Sequence, residues 1–219
     1  MLEKQPALEP RFNIAPSQGV WVIRKIAPGG ERRLDLVRWG LIVADAKRPG
    51  GVVMARGESV ASRAPFAPAF RSRRCLLVAD GFYEWKRTTK QSFPYFIHRP
   101  GNAPFAMAAI WEPALLTPGK SELDSCAIIT RPARPPVSEI HDRMPVMLAP
   151  EHHDAWLDPA FSDVAVLRAM LLEDPKIELV SVAVGPHVNS PANDDAECAA
   201  PISESERHGE QIELFRREG

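Results

Sequence analysis

Cysteine is scarce in this 219-residue sequence, and long apolar runs are missing. The three cysteines, Cys75, Cys126 and Cys198, are odd in number, widely separated and without metal-type spacing, which argues against a disulfide framework and a zinc site. No run approaches the roughly 18 apolar residues of a membrane-spanning helix, and residues 1–10 lack the profile of a secretory signal. We therefore expect a cytoplasmic protein with no metal, no cofactor and no membrane partner.

Net charge is also close to zero. The sequence has 27 basic and 28 acidic residues, a balance of −1 that gives no overall attraction to nucleic acid. The distribution is uneven, because residues 56–74 contain five arginines against one acid, Glu58, whereas the segment after Asn193 is rich in Asp and Glu. The arginines predict a local basic patch, with a solvated loop face as the alternative.

Proline is plentiful, and its 22 residues are about twice the usual share, which indicates many loops and short elements. Strands are predicted at 20–26, 33–40, 75–79, 82–86, 94–99, 104–111, 125–130, 144–148 and 177–184, the first two joined as a hairpin by the glycine pair in "APGGER". Helices are predicted at "APEHHDAWL" and "SDVAVLRAMLLED", with one helical turn at "PPVSEI". Many consecutive strands with few crossover helices predict an α+β fold whose mostly antiparallel sheet curls into a barrel-like core.

A glutamate stands inside the strand-like stretch "VADGFYEWKR", residues 78–87. Alternation places Phe82 and Glu84 on one face and Tyr83 and Trp85 on the other, so neither face is plainly the one in water. Glu84 is either an edge-strand residue whose carboxylate reaches water or a carboxylate in a partly dry pocket, with a raised pKa suited to proton transfer. The segment alone leaves both interpretations open.

Four stretches, taken together and in order, resemble the SOS-response-associated peptidase (SRAP) family of abasic-site-processing proteins. They are "RFNIAPSQ" (11–18), "ARGES" (55–59), "DGFYEWKR" (80–87) and "EIHDRMPVML" (139–148). The resemblance runs from about Arg11 to Gly185. It implies an SRAP-like domain over residues 1–185, followed by a polar tail over 186–219 that can hold one short helix at "ESERHGEQIELFRR". It also implies single-stranded DNA carrying an abasic site as the partner, and it gives no oligomeric state.

The resemblance implies a catalytic pair and a DNA path. Glu84 would transfer protons to and from the sugar and the amine, and His141 would assist sugar ring opening and crosslink reversal. For His141 alone, the alternative is a surface histidine at a helix end. Arg56 and Arg143 match family arginines that hold phosphates, a role suited to a planar, permanently charged group. Further positions along the strand path are Asn13, Pro16, Met54, Trp85 and Thr130.

Two departures from the family pattern bear on covalent chemistry. Family members begin Met-Cys-Gly-Arg, and the 1,2-aminothiol of that cysteine forms an imine that closes to a thiazolidine, whereas this sequence begins Met1-Leu2. Where the family has asparagine, this chain has Met54, whose thioether cannot replace the donors of an amide. We expect either codons for the cysteine upstream of Met1, or a relative that binds single-stranded DNA without covalent chemistry. Enzymatic activity is therefore left open.

Two other enzyme classes have less support in the sequence. A peptidase acting on other proteins fits the family's name, but no Ser/His/Asp or Cys/His pair with a plausible base is visible. A metal hydrolase is weaker still, because the adjacent His152 and His153 lie on a predicted helix and point about 100° apart.

Overall fold

A computed structural model describes residues 9–43, 51–114 and 123–203. Ten strands lie within these ranges: β1 (Gly19–Arg24), β2 (Arg33–Trp39), β3 (Met54–Arg56), β4 (Arg74–Ala79), β5 (Gly81–Arg87), β6 (Ser92–His98), β7 (Phe105–Glu112), β8 (Ser125–Pro132), β9 (Arg143–Pro145) and β10 (Val180–Ala183). The α-helices are α1 (Ala67–Ser72), α2 (His153–Leu157) and α3 (Val164–Leu172). The predicted α+β class is confirmed.

The larger sheet closes on itself. Its strand order is β2-β1-β4-β7-β8-β3, with β9 paired to β8. Strand β2 also pairs in parallel with β8 through Trp39 and Cys126, which closes β2, β1, β4, β7 and β8 into a ring, with β3 and β9 also paired to β8. The pairings of β2 and β3 with β8 are parallel and the other pairings are antiparallel. The predicted barrel-like curled sheet is therefore confirmed.

A second, three-stranded sheet has the order β10-β6-β5 and is antiparallel. It packs on the barrel through Phe82, whose ring meets that of Phe105 edge to face with 6.3 Å between centroids. Ile97 of β6 is fully buried in the same apolar cluster. Phe82 of β5, the outer strand of this sheet, therefore lies where the small sheet meets the barrel.

Alternation along β4 separates two apolar cores. Leu76 packs into the core beneath the helices, whereas Cys75 and Leu77 pack into the core inside the barrel. Cys126 of β8 joins the barrel core. Burial raises the pKa of the Cys126 thiol to about 12 and that of Cys75 well above its usual range, so both remain neutral thiols at neutral pH.

Arg74 connects the helices to the barrel. Its side chain is almost fully buried and donates hydrogen bonds to five main-chain carbonyls, those of Phe70, Arg71, Trp156, Asp158 and Phe161. Burial lowers the pKa of Arg74 to about 10, which leaves the guanidinium charged at neutral pH. One side chain thus fixes α1, α2 and the loop after α2 against β4.

Residues 186–203 cover the outer face of the small sheet. Val188 and the fully buried Cys198 pack with Val184 against Tyr83 and Trp85. The division of the chain at residue 185 stays a prediction, and the helix predicted over 204–217 lies outside the described residues. In the described ranges the longest α-helix, α3, has nine residues, and no helix there is long and apolar enough to cross a bilayer.

Candidate nucleic-acid interface

Strand β5 is covered on both faces, which explains its mixed pattern. Phe82 packs into the barrel core on one side, and Tyr83 and Trp85 lie under residues 186–203 on the other. Glu84 shares the face of Phe82 by alternation, and its side chain is only 20% exposed although β5 is an edge strand. This geometry favours the partly dry pocket over a carboxylate that extends freely into water.

His141 lies beside Glu84. A 3₁₀ helix, Val137–Glu139, ends just before His141. The Nδ1 atom of His141 lies 3.8 Å from Oε1 of Glu84. The main-chain N–H of Arg143 donates to the same Nδ1 over 3.0 Å and the Arg143 carbonyl lies 3.2 Å from it, so the Arg143 main chain holds the ring in place. The exposed carboxylate of Asp142 is 3.4 Å from Nδ1, so two carboxylates face one ring nitrogen.

The environment of Glu84 shifts its proton affinity upward. Burial is the main cause that raises the pKa of Glu84, and the nearby Asp142 carboxylate acts in the same direction. His141 and a hydrogen bond from the Trp85 main chain act against this shift without cancelling it. A carboxyl with a raised pKa beside an imidazole can exchange protons with a bound substrate near neutral pH.

The two arginines predicted to contact phosphate both lie beside Thr130, and Arg143 also contacts His141. Strand β3 alternates Met54 outward, Ala55 inward and Arg56 outward, and Arg56 is aligned with Thr130 of β8. Arg143 at the start of β9 donates through Nη2 to the Thr130 carbonyl over 2.8 Å. The structure therefore groups these predicted site residues around the ends of β3, β8 and β9, with Glu84 and His141 alongside.

Glu58 is a member of this group to which the sequence assigned no role. Its two carboxylate oxygens accept hydrogen bonds from Nη1 and Nη2 of Arg143, the second over 2.8 Å. This pairing lowers the pKa of Glu58 to about 2, and the positive charge of Arg56 contributes. The signal that could have found it is its position as the one acid among the arginines of residues 56–74.

Asn13 and Trp85 both contact the segment 186–203. The buried Asn13 donates through Nδ2 to three main-chain carbonyls, those of Val188, Ser190 and Asn193, each at 3.0 Å. Trp85 donates through Nε1 to Oδ1 of Asn189 over 2.8 Å. Pro16 lies exposed in the loop between Asn13 and β1. Their contacts with DNA stay predictions.

The hydrogen bonds of Asn13 give a first testable prediction. Asn13→Ala should lower the free energy of unfolding by about 1–3 kcal/mol, because carbonyls that are partly buried lose their donor. Amide hydrogen exchange should accelerate in residues 188–198 and remain unchanged in β4, whose Leu76 and Leu77 pack into the other two apolar clusters. Unchanged exchange at residues 188–198 would show that Asn13 does not anchor them.

The described residues contain one group with metal-ligand chemistry. Ligand atoms of His187, Asp195 and Cys198 all lie within 4.8 Å of one another. Both ring nitrogens of His187 already have partners, Nδ1 with the Asn193 amide and Nε2 with Asp195, each at 3.2 Å. This chain of hydrogen bonds closes the turn between residues 187 and 195.

The two histidines considered for a metal hydrolase have separate partners. Nε2 of His152 lies 2.6 Å from a Glu173 carboxylate oxygen, whereas Nε2 of His153 lies 3.1 Å from the Leu148 carbonyl. The two rings therefore do not converge on a common point, as their adjacent positions predict.

The protein is an α+β protein with a closed, mostly antiparallel barrel and a small sheet beside it, and it holds a carboxylate–imidazole pair next to Arg143. The sequence model of the family described as SOS response associated peptidase (SRAP) matches residues 1–191. The chain belongs to this family, and the resemblance found in the sequence motifs is confirmed.

Relatives from bacteria, phage and vertebrates share most of the chain. It is 37% identical over 193 residues to the abasic site processing protein YoaM of Bacillus subtilis, covering 86% of this chain and 84% of that one. It is 36% identical over 192 residues to YoqW of Bacillus phage SPbeta, with the same coverage. It is 30% identical over 235 residues to HMCES of Xenopus tropicalis, covering 92% and 69%. Both carry the same description, abasic site processing protein.

Two crystal structures share the fold. A protein from Bacteroides thetaiotaomicron superposes with a TM-score of 0.70 at 20% identity and covers 85% of this chain and 82% of that one. A phage-related protein from Bordetella bronchiseptica superposes with a TM-score of 0.67 at 26% identity, covering 83% and 84%. The first supports the fold alone.

Proposed function

We propose that the protein binds single-stranded DNA at an abasic site and processes the lesion with Glu84 and His141. The observation that carries this proposal is the 3.8 Å approach of the His141 ring to the half-buried Glu84 carboxyl, next to Arg143. The names of the relatives, abasic site processing proteins, supply the substrate class. The proposed location is the cytoplasm.

The first chemical step is ring opening of the abasic sugar. The closed sugar is a hemiacetal, so a base must take the proton of the hydroxyl on C1′ while an acid protonates the ring oxygen. The bond between C1′ and the ring oxygen then breaks and leaves an aldehyde and a free hydroxyl. We assign both proton transfers of this step to His141, which takes the proton from the hydroxyl and returns it to the ring oxygen, because the Arg143 main chain holds its ring beside Glu84.

The second step is capture of the aldehyde by a primary amine, which in the family pattern described above is an α-amino group. The amine adds to C1′ to give a carbinolamine, and loss of water then gives an imine. This loss requires an acid for the departing hydroxyl, which we assign to Glu84 because its raised pKa keeps a larger fraction protonated near neutral pH. Closure to a thiazolidine further requires a thiol beside the amine. Cys75, Cys126 and Cys198 are all buried and cannot supply it.

Binding would place the DNA backbone along Arg56 and Arg143. Single-stranded DNA releases counterions when its phosphates are neutralised, so affinity should fall steeply with salt. Arg56 is exposed and Arg143 is anchored to Thr130, so together they offer one exposed and one anchored cation. An extended strand with its backbone on these two residues would bring an abasic sugar to Glu84 and His141.

The binding test compares arginine variants on a labelled single-stranded oligonucleotide. Fluorescence anisotropy at two salt concentrations should show weaker binding for Arg56→Gln and Arg143→Gln, with the slope of log K against log salt reduced by about 0.7 for each lost phosphate contact. Binding to the matching duplex should be weaker than to the single strand.

Arg33→Gln is the matched control, because Arg33 is an exposed arginine of the β1–β2 hairpin that pairs with Asp35. A loss of affinity equal to that of Arg143→Gln would mean that only net charge matters. Absence of binding at low salt would overturn the proposed function. Binding without any covalent or cleaved product would favour a noncovalent single-stranded DNA-binding protein.

A further inference from the structure

We infer that Glu58 is a specificity-determining residue that occupies the phosphate position on Arg143 and must be displaced by the DNA backbone. This inference rests on the proposed function, because it takes Arg143 as a phosphate contact. The contact itself is in the structure: the carboxylate of Glu58 holds both terminal nitrogens of Arg143 in a two-pronged arrangement. Arginine grips phosphate in the same way.

The other donors of Arg143 leave no second place for a two-pronged phosphate contact. Nη2 also donates to the carbonyl of Thr130 over 2.8 Å, and the Thr130 hydroxyl lies 3.3 Å away. Nε is buried and has no acceptor in the described part of the chain. A phosphate could therefore accept two hydrogen bonds from Arg143 only through Nη1 and Nη2. Glu58 already accepts hydrogen bonds from these two nitrogens.

Glu58 is the more exposed partner of this pair. Its side chain is 47% exposed, whereas that of Arg143 is 18% exposed and anchored, so the carboxylate can swing into water while the guanidinium stays in place. A two-pronged pair is stronger than an ordinary surface ion pair, but a phosphate that replaces Glu58 makes the same two contacts with Arg143. A backbone phosphate can therefore replace Glu58 without a change in the main chain.

The replacement of Glu58 on Arg143 favours a DNA strand over a small phosphate compound. A single phosphate must displace Glu58 with no other gain, whereas a strand whose next phosphate already contacts Arg56 presents its phosphate to Arg143 at a high effective concentration. Glu58 lies close enough to Arg56 to be influenced by its charge. We therefore expect Glu58 to select against free phosphates and nucleotides.

The decisive experiment is a double-mutant cycle on single-stranded DNA. Glu58→Gln should tighten binding of a labelled oligonucleotide by roughly three- to tenfold, the range expected from removing one competing ion pair. Arg143→Gln should weaken binding, and the double variant should bind like Arg143→Gln alone. Glu139→Gln is the matched control, since it removes an equal exposed charge from the nearby 3₁₀ helix. The effect of Glu139→Gln on oligonucleotide affinity should be smaller than that of Glu58→Gln, and it should persist in the Arg143→Gln background.

Inorganic phosphate gives a second readout that needs no DNA. At constant ionic strength, phosphate should raise the melting temperature of Glu58→Gln and leave those of the wild type and the double variant unchanged. Weaker oligonucleotide binding by Glu58→Gln, or a gain that persists undiminished without Arg143, would overturn the inference. If the oligonucleotide binds none of the variants, the proposed function fails, and the phosphate titration alone decides whether Glu58 shields Arg143.

Discussion

Glu84→Gln should slow the processing of an abasic site in single-stranded DNA by about 10²–10⁴-fold, the usual contribution of a positioned acid or base. The amide keeps the shape of the side chain but cannot donate or accept the proton of the departing hydroxyl. Affinity for the undamaged oligonucleotide should change by less than about threefold, because glutamine makes no new charge contact with the backbone. The change therefore separates chemistry from binding.

The measurement uses an oligonucleotide with one abasic site and denaturing gels. Imine formation is followed by trapping with cyanoborohydride, and cleaved strand is followed without it. Lys86→Gln is a control on the same strand, since Lys86 is an exposed neighbour on β5 that has no assigned role. An undiminished rate of both products with Glu84→Gln would return Glu84 to a structural role at a sheet edge.

Glu84 also links stability to pH. Burial raises its pKa in the folded protein above the ordinary value near 4.3, so the folded state holds this proton more tightly than the unfolded state does. Its contribution to stability is therefore fully present below the unfolded pKa and is lost as pH rises through the folded pKa. Glu84→Gln does not titrate, so it should be more stable than the wild type at about pH 7 and lose that advantage near pH 4. If the melting temperatures of the wild type and Glu84→Gln changed in parallel with pH, the Glu84 carboxylate would be shown to be well solvated.

Local sequence patterns predicted most of the strands because each has enough alternating or buried apolar residues to be recognised. The hairpin of β1 and β2 and the helix cap before α3 follow from short-range chemistry, the cap being Asp163, which accepts from the N–H groups of Ala165 and Val166. Strand β3 was missed, since three residues give no periodicity and its pairing with β8 is long-range. Helix α1 was missed for a related reason: its six residues form one short, proline-containing turn whose stability comes from packing.

The candidate site, too, could be predicted from local sequence only in part. Glu84 and His141 were found through motifs, but their 3.8 Å approach depends on how the small sheet packs against the barrel, which no local pattern encodes. The pairing of Glu58 with Arg143 joins residues 85 apart in sequence. Residues 186–203 have a polar composition, yet their buried Cys198 and the carbonyls held by Asn13 make them part of the packed structure. Composition could not reveal that, because the apolar contacts there are few and widely spaced.

The largest effect on stability is expected at Arg74. Arg74→Met should lower the free energy of unfolding by roughly 4–6 kcal/mol, because five main-chain carbonyls lose a charged donor at once, and those of Phe70 and Trp156 are buried away from water. That loss is a large fraction of the 5–15 kcal/mol typical of a domain, so the variant should melt near room temperature or fail to accumulate. Methionine fills much of the volume, which keeps a packing defect from dominating the result.

Arg74→Lys separates charge from geometry. Lysine keeps the positive charge but has three donors on one nitrogen, and these cannot reach carbonyls on α1, on α2 and at Phe161 together. Its stability, measured by urea unfolding, should lie between those of the wild type and Arg74→Met. A lysine variant as stable as the wild type would mean that a buried positive charge alone is sufficient. A methionine variant that loses less than about 1 kcal/mol would mean that the helices are held on the barrel by apolar packing, with Phe70 and Trp156 sufficient without the guanidinium.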